Sequence, residues 1–367
     1  MARGAFILPL PIGQSASLRM LRRLLVAPCG MSRYRLRSMN LSSISISPPV
    51  LFFVLGAVAA LVKSNLRVPK AVTKLMSLYL LWAIGFTGGV KIAQSGVTRD
   101  ALVATAIGIA LSATMPFAVF ALLRARLGIH NAAAAAACYG SVSAVTFLTA
   151  SSMLDAAGVT YGGHMVAVMA LMESPAIVVA IILLRRAERA EAGVGSEAAK
   201  RPMGWGHLLH EAFLNGPVLL LLGSLVIGLV TRERGFEAFK PLCKDLFNGV
   251  LVFFLLDLGI LAARRFRGFI DRGWSLVVFG LVLPPIGAAI ALLLAKLGGL
   301  SVGDATLLAV LAASASYIAV PAAVRIAIPK AEPSIYIGLA LAVTFPFNIV
   351  IGIPLYLAAA KMLIGNG

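Results

Sequence analysis

Ten long apolar segments constrain the fold of this chain more than any other feature of the sequence. Most have the length of a helix that crosses the ~30 Å hydrocarbon core of a bilayer, about 20 residues. Hydrophobic residues make up 60% of the chain and charged residues only 13%, whereas a soluble domain carries about 25% charged residues. Continuous apolar runs favour helices over the alternating strands of a β-barrel. The pattern predicts an all-α polytopic membrane protein with about ten transmembrane helices at 49–63, 67–92, 100–124, 131–154, 161–184, 208–231, 241–263, 273–296, 304–327 and 333–363.

Polar stretches divide the chain into four parts. The first 48 residues contain seven arginines and no acidic residue, which is typical of an organelle transit peptide. A misassigned start, with the true start at Met31 or Met39, is the alternative. A second polar stretch, from Arg185 to His210, separates two groups of five apolar segments. We therefore predict a basic N-terminal extension (1–48), a first five-helix repeat (49–186), a cytoplasmic linker (187–207) and a second five-helix repeat (208–367).

The two halves share landmarks at a constant spacing. An odd number of spans in each half inserts the second half upside down relative to the first, as in inverted-repeat transporters. The sequence therefore predicts two inverted repeats, with a binding site near the membrane midplane. Three residue pairs are each 171 positions apart: Gly88 and Gly259, Ser143 and Ser314, and Pro175 and Pro346.

The net charge of +18 follows membrane topology. Alternate loops beginning with the first hold 17 basic residues, and the other loops with the C-terminus hold 8. The first set is expected on the cytoplasmic side, which places both termini outside. Because the basic residues are spread over short loops, nucleic-acid binding is not expected. The expected location is the cell (inner) membrane, or an organelle envelope membrane if residues 1–48 are a transit peptide.

The fourth and ninth segments predict discontinuous helices. Both combine small residues with hydroxyl side chains, and the ninth adds a proline. Hydroxyls and unwound carbonyls are neutral oxygen donors for Na⁺, while the exposed N–H groups at the start of a half-helix attract a small anion. A tight helix–helix contact is the alternative role for small residues. The candidate substrate-binding residues are Ser141, Ser143, Thr146, Ser314, Ser316 and Tyr317.

Glu173 is the most informative single residue, because a carboxylate within a membrane span is costly and marks a functional site by default. We predict that it binds Na⁺; pairing with a basic residue is the alternative. Asp257 is a second carboxylate within a span, for which helix packing and ion contact are equally compatible. Thr344 and Asn348 bracket Pro346 and are predicted to join the cation site.

Two adjacent glycines, Gly88 and Gly89 in "GFTGGVKI", allow backbone to approach another helix or an anion. They are added to the substrate-binding candidates, with packing as the alternative.

Sequence motifs for enzymes and metal sites are missing from the chain. Its three cysteines lie far apart, and the four histidines fall at span ends without a zinc-binding pattern. No nucleophile elbow, Walker loop or Rossmann glycine pattern occurs, so the protein is not expected to be an enzyme. No cofactor is expected apart from Na⁺ as coupling ion.

Three stretches resemble the sodium-dependent bicarbonate permease family: "GFTGGVKI", "YGSVSAVTF" with "MESPAIV", and Ser314 to Leu357. The resemblance covers most of residues 49–363. It implies a ten-span inverted-repeat carrier that imports HCO₃⁻ with Na⁺, with its site between the two crossing helices at the six hydroxyl positions named above.

The resemblance also has departures and further implications. Glu173 and Tyr317 stand where the prototype branch has aspartates, and an acidic residue near the end of the seventh span is replaced by Asp257 one turn earlier. Expected partners are a small inorganic anion, the lipid bilayer, further copies in a homotrimer and a PII-like cytoplasmic regulator.

The sequence therefore predicts a secondary active transporter that imports a small monovalent anion, bicarbonate first, with Na⁺. Alternatives are a carrier for a small carboxylate or another inorganic anion and, from a different class, an anion channel or a membrane sensor.

Overall fold

A computed structural model describes residues 48–96, 98–192, 216–270 and 273–365. The predicted N-terminal extension, apart from residue 48, and most of the predicted linker lie outside these residues. Within them every regular element is helical. The helices are α1 (Pro48–Leu61), α2 (Lys70–Ser95), α3 (Arg99–Gly140), α4 (Ala144–Ala156), α5 (His164–Ala192), α6 (Gly216–Lys240), α7 (Leu246–Ile270), α8 (Trp274–Gly298), α9 (Val302–Ala312), α10 (Ala319–Ala327) and α11 (Pro333–Ile364).

Six predominantly helical stretches in the described residues are long and apolar enough to cross a membrane. Two of them span 58 and 51 residues, far more than the roughly 20 that one crossing needs. Each is interrupted by a residue with positive φ, Gly128 at 74° and Arg232 at 54°. Each of these two stretches is therefore long enough for more than one crossing.

Large apolar side chains cover the outside of the helical bundle. Leu297 is 83% exposed, Val230 73% and Leu102 65%. Water would penalise such a surface, whereas acyl chains solvate it. With the long apolar helices, this surface shows a membrane-embedded protein.

Two helix pairs cross at glycines with matching geometry. In the α1–α7 crossing, a Cβ on Gly56 would lie 2.0 Å from the Leu256 carbonyl oxygen, and one on Gly259 would lie 2.1 Å from that of Phe53. Both distances are too short for any side chain, so the backbones touch directly, as small residues allow in membrane bundles.

The α2–α6 crossing repeats this arrangement. Here a Cβ on Gly89 would lie 1.9 Å from the Leu225 carbonyl oxygen, and one on Gly228 would lie 2.1 Å from that of Phe86. Together with the α3–α5 pairing, these two crossings are the most extensive helix contacts among the described residues.

Candidate functional site

Two helices break off at the centre of the bundle, both inside predicted spans. The first break lies between α3, which ends at Gly140, and α4, which begins at Ala144. Ser143 is the N-cap of α4, and its hydroxyl accepts a hydrogen bond from the backbone N–H of Thr146 at 3.3 Å. A serine at this position satisfies a donor that the helix start leaves open. The break therefore follows from local sequence.

The second break lies between Ala312, the last residue of α9, and Ala319, the first of α10. The Ser316 hydroxyl accepts from the Val320 N–H at 3.3 Å. The Ala313 carbonyl, at the start of the break, accepts from the Asn348 side-chain amide at 2.8 Å. A side chain from α11 thus satisfies a carbonyl that the interrupted helix leaves free.

The two breaks meet directly. The backbone N–H of Ser143 donates to the Ser314 hydroxyl at 2.9 Å, and the Ser314 hydroxyl donates to the Leu311 carbonyl at 2.9 Å. The Ser316 N–H donates to the Cys138 carbonyl at 2.8 Å. Backbone donors freed in one helix are therefore satisfied by the other, which stabilises irregular backbone at membrane depth.

A cavity of about 60 Å³, here called the central cavity, lies against both breaks. The first residues of α4 and α10 line it together, so the open N–H ends of two half-helices share one small space. Each helix N-terminus carries roughly half a positive charge. Four of the predicted site residues line this cavity: Ser143, Ser316, Tyr317 and Glu173.

Three hydroxyls beside the breaks are buried without a protein partner. Ser141 Oγ, Thr146 Oγ1 and the Tyr317 hydroxyl have no neighbour in hydrogen-bond geometry among the described residues. An unmet buried hydroxyl costs free energy unless water or a bound ion satisfies it. Of the three residues, only Tyr317 lines the central cavity, whereas Ser141 and Thr146 lie beside the first break without lining it.

Glu173 lies on α5, partly buried, at the edge of the central cavity. Within the described residues its carboxylate forms no ion pair and no hydrogen bond. The alternative of a basic partner therefore finds no support there. An unpaired carboxylate beside a cavity is available to a cation.

Other predicted site residues lie elsewhere in the bundle. The Thr344 hydroxyl donates to the Gly280 carbonyl at 2.8 Å and bonds to the Tyr139 hydroxyl. The Asn348 oxygen accepts from the Tyr356 hydroxyl at 2.9 Å. Neither Thr344 nor Asn348 lines the central cavity, so the structure does not bring them together with Glu173.

The two candidate glycines also separate. Gly89 lies in the α2–α6 crossing, where its lack of a side chain serves packing. Gly88 lines a different cleft of about 460 Å³, here called the second cleft. Adjacent helical residues point about 100° apart, which explains why the two cannot serve one surface.

A third cavity, here called the basic cleft, has a volume of about 590 Å³. It shares Ser77, Phe254, Tyr317 and Ile318 with the central cavity, whereas the second cleft shares none of that cavity's lining. Lys70 begins α2 and lines the basic cleft; Lys91 lies near the end of α2 and lines the second cleft, so the clefts open at opposite ends of the bundle.

Several charged residues in these regions are absent from the sequence-based candidates. Lys91 lies 4.1 Å from the ring centre of Tyr161, whose hydroxyl donates to Asp155 at 3.3 Å. Buried Asp304 accepts from the Gly162 N–H at 2.7 Å and lies 3.7 Å from His164. The pattern Ser301-x-x-Asp304 before an apolar run, typical of a helix start, was the available signal. No cluster of three or more metal-binding side chains occurs in the described residues.

Taken together, the long apolar helices and a site built on two broken helices define a membrane transport protein. The sequence profile of the Na⁺-dependent bicarbonate transporter superfamily matches residues 48–361. This chain therefore belongs to that superfamily, as the resemblance predicted. Comparison with curated proteins gives no match.

Proposed function

We propose that the protein imports a small monovalent anion, bicarbonate first, together with Na⁺. The observation that carries the proposal is the central cavity, which two half-helix N-termini and one carboxylate line together. Two N-termini supply roughly one positive charge, which matches a monovalent anion. The carboxylate of Glu173 supplies the negative charge that a cation needs.

The size of the cavity favours a small anion. One water needs about 10–15 Å³ on this measure, so a space of about 60 Å³ holds only a few atoms. Bicarbonate has four non-hydrogen atoms and both donates and accepts hydrogen bonds. The Tyr317 hydroxyl, which lines the cavity, is suited to its oxygens. The Ser141 and Thr146 hydroxyls lie beside the first break and are proposed to join the site when the anion is bound. Larger carboxylates require expansion of the site.

Electrostatics explains why the two ions travel together. Glu173 without a cation repels an anion in the same small cavity, and Na⁺ beside it removes that repulsion. Binding of one ion therefore raises the affinity for the other by the same factor, and coupling of this kind typically amounts to about 5- to 150-fold. Neutral oxygens around the breaks complete the proposed Na⁺ site. Thr344 and Asn348 do not line the cavity with Glu173, and their place in the Na⁺ site stays a prediction that substitution tests.

The proposal includes an inverted-repeat architecture with ten spans. Supporting it, Gly56 and Gly228 hold equivalent places in the two glycine crossings at a spacing of 172, and Gly89 and Gly259 do so at 170. The two breaks also meet through Ser143 and Ser314, which are 171 apart. The basic cleft carries the charge expected of the cytoplasmic side, so this conformation opens inward.

Uptake into proteoliposomes tests the function. The purified full chain is reconstituted, and labelled bicarbonate uptake is followed at alkaline pH with an inward Na⁺ gradient, with an equal K⁺ gradient and in protein-free vesicles. We expect uptake only with protein and Na⁺, and competition by unlabelled bicarbonate that exceeds competition by formate, acetate or nitrate. Uptake that follows the membrane potential and ignores Na⁺ would show an anion channel instead.

A further inference from the structure

The basic cleft holds more positive charge than topology alone requires. Among the described residues, five basic side chains line it and Asp257 is the one carboxylate, which leaves four net positive charges facing a single cavity. These side chains come from three separate elements: the start of α2, the end of α7 and the end of α10. They are Lys70, Lys74, Arg264, Arg265 and Arg325.

The described residues do not neutralise this charge. None of the five basic side chains forms an ion pair within them. Asp257 accepts a hydrogen bond from the Thr73 hydroxyl at 2.6 Å, and Arg264 donates to the Leu66 carbonyl at 3.3 Å. Arg265 lies within electrostatic range of Arg325, a like charge. Like charges held together around a cavity are stabilised by an anion that binds between them.

The volume of the cleft indicates the size of that anion. At about 590 Å³, it lies within the range of pockets that bind small organic ligands, about 300–1,000 Å³. It is roughly ten times larger than the central cavity, so one bicarbonate would leave most of it empty and most of its charge unmatched. Arginine forks bind phosphate groups through paired hydrogen bonds, and the lysines add point charges.

We propose that the basic cleft binds a phosphate-bearing polyanion, and that its occupation blocks the route to the central cavity. The blocking part rests on the proposed transport function, while the binding part does not. The connection is geometric: Ser77, Phe254, Tyr317 and Ile318 line both spaces. A polyanion seated among the basic groups lies across the path of an ion that leaves the central cavity on this side.

Two sources supply such chemistry, a soluble phosphorylated compound and the headgroup of an anionic phospholipid. Inorganic pyrophosphate represents the first and cardiolipin the second. Both carry two phosphate groups, so one site accepts either by the same contacts.

Binding is measured first, without transport. Purified protein in neutral detergent is titrated with pyrophosphate at constant ionic strength by calorimetry, and its thermal unfolding is followed in parallel. We expect saturable binding that raises the melting temperature. Arg265→Gln and Arg325→Gln each lower the affinity about tenfold or more, since each removes a charge-assisted contact. Lys330→Gln is the control. Lys330 is an exposed basic residue shortly after α10 that does not line the cleft, so this variant should keep the wild-type affinity.

Other outcomes separate the sources or overturn the proposal. Displacement of pyrophosphate by cardiolipin micelles, but not by neutral lipid, identifies the headgroup as an occupant; no displacement identifies a soluble ligand. Arg265 and Arg325 are exposed, so both variants are expected to fold, and their unliganded melting temperatures check this. Absence of binding at millimolar pyrophosphate, or equal affinity in all three variants, shows that the cleft merely attracts the transported anion.

Inhibition is measured second, in proteoliposomes with pyrophosphate on one side only. We expect pyrophosphate to reduce bicarbonate flux when it faces the basic cleft and to leave the flux unchanged when it faces the second cleft. Arg325→Gln should weaken the inhibition from the basic-cleft side. Flux that is insensitive from both sides overturns the blocking part. If the wild type does not transport bicarbonate, the proposed function fails while the binding result stands independently.

Discussion

The two helix breaks meet through Ser143 and Ser314, yet they are built differently. The first leaves only residues 141–143 outside a helix, and Ser143 caps the helix that follows. The second leaves residues 313–318 outside, and α10 begins at Ala319. Its N-cap residue, Ile318, makes no side-chain hydrogen bond, and Ser316 accepts from the Val320 N–H instead. Ile318 is 46% exposed and lines both the central cavity and the basic cleft.

This difference separates a fixed part of the site from a part suited to movement. The shorter break has few soft dihedrals and gains little backbone freedom when an ion leaves, whereas the longer one has more of them between the cavity and the open side. We therefore expect the second break to control access and the first to hold the site in register. The following substitutions test that division, in order of expected effect.

Glu173→Gln is expected to have the largest effect, because it removes the only charge among the described residues that line the central cavity. The half-saturating Na⁺ concentration should rise about 10- to 100-fold, and bicarbonate affinity should lose most of its dependence on Na⁺. Asp257→Asn, a carboxylate outside that cavity, is the matched control. The measurement is Na⁺-dependent uptake with thermal unfolding alongside; unchanged Na⁺ dependence in a well-folded variant contradicts the cation role.

Ser314→Ala compares the breaks directly with Ser143→Ala. Loss of the Ser314 hydroxyl leaves the buried N–H of Ser143 without its acceptor, at a cost of about 1–3 kcal/mol. Loss of the Ser143 hydroxyl removes one helix cap, at about 1 kcal/mol. Both should weaken transport, and thermal unfolding in detergent should rank Ser314→Ala below Ser143→Ala. The opposite ranking would show that the Ser143 helix cap stabilises the fold more than the Ser314 hydrogen bond does.

Asn348→Ala should loosen only the second break. Its amide supports the Ala313 carbonyl, so removal costs about 1–2 kcal/mol, while the half-saturating Na⁺ concentration stays within about twofold. Ile177→Val, at the equivalent position 171 residues earlier, is the control for packing alone. A rise in the Na⁺ requirement comparable to that of Glu173→Gln would instead establish Asn348 as a sodium ligand.

Tyr317→Phe and Thr146→Val should have the smallest effects and form a matched pair 171 residues apart. Each removes a hydroxyl that has no protein partner among the described residues, so stability should not fall. Bicarbonate affinity should drop about 2- to 10-fold in each. Competition by unlabelled bicarbonate measures this, and wild-type affinity in both variants would mean that water, not substrate, occupies these hydroxyls.

Sequence patterns located the breaks well for a physical reason. Serine competes with helical backbone for hydrogen bonds, so Ser141, Ser143, Ser314 and Ser316 mark interruptions in otherwise apolar helices. The long apolar runs likewise gave the helices, although the structure continues α5 to Ala192, beyond the predicted end at 184. Polar residues such as Arg185 and Glu188, which form an ion pair, are compatible with a helix that continues beyond the hydrocarbon region.

The finer arrangement of the site was beyond the sequence, because spacing along a helix does not tell which neighbour a side chain meets. Thr344 and Asn348 stand at the positions equivalent to Glu173 and Ile177, yet their polar groups bond to Gly280 and Ala313. Asp155 lies near a span end, where charged residues are ordinary, so its contact with Tyr161 had no distinctive signal in the sequence. The Ser301-x-x-Asp304 pattern marked a helix start but did not indicate that Asp304 contacts Gly162.

The glycine crossings make four codons of this gene far less tolerant of change than their neighbours. Every missense change at Gly56, Gly89, Gly228 or Gly259 adds at least one carbon where a carbonyl oxygen already lies within about 2 Å. Gly223 and Gly249 are also helical glycines, but a Cβ there would meet nothing within 4 Å, and alanine has the higher helix propensity. Selection is therefore expected to remove even glycine-to-alanine changes at the four crossing glycines, while the same change at Gly223 or Gly249 is expected to be neutral.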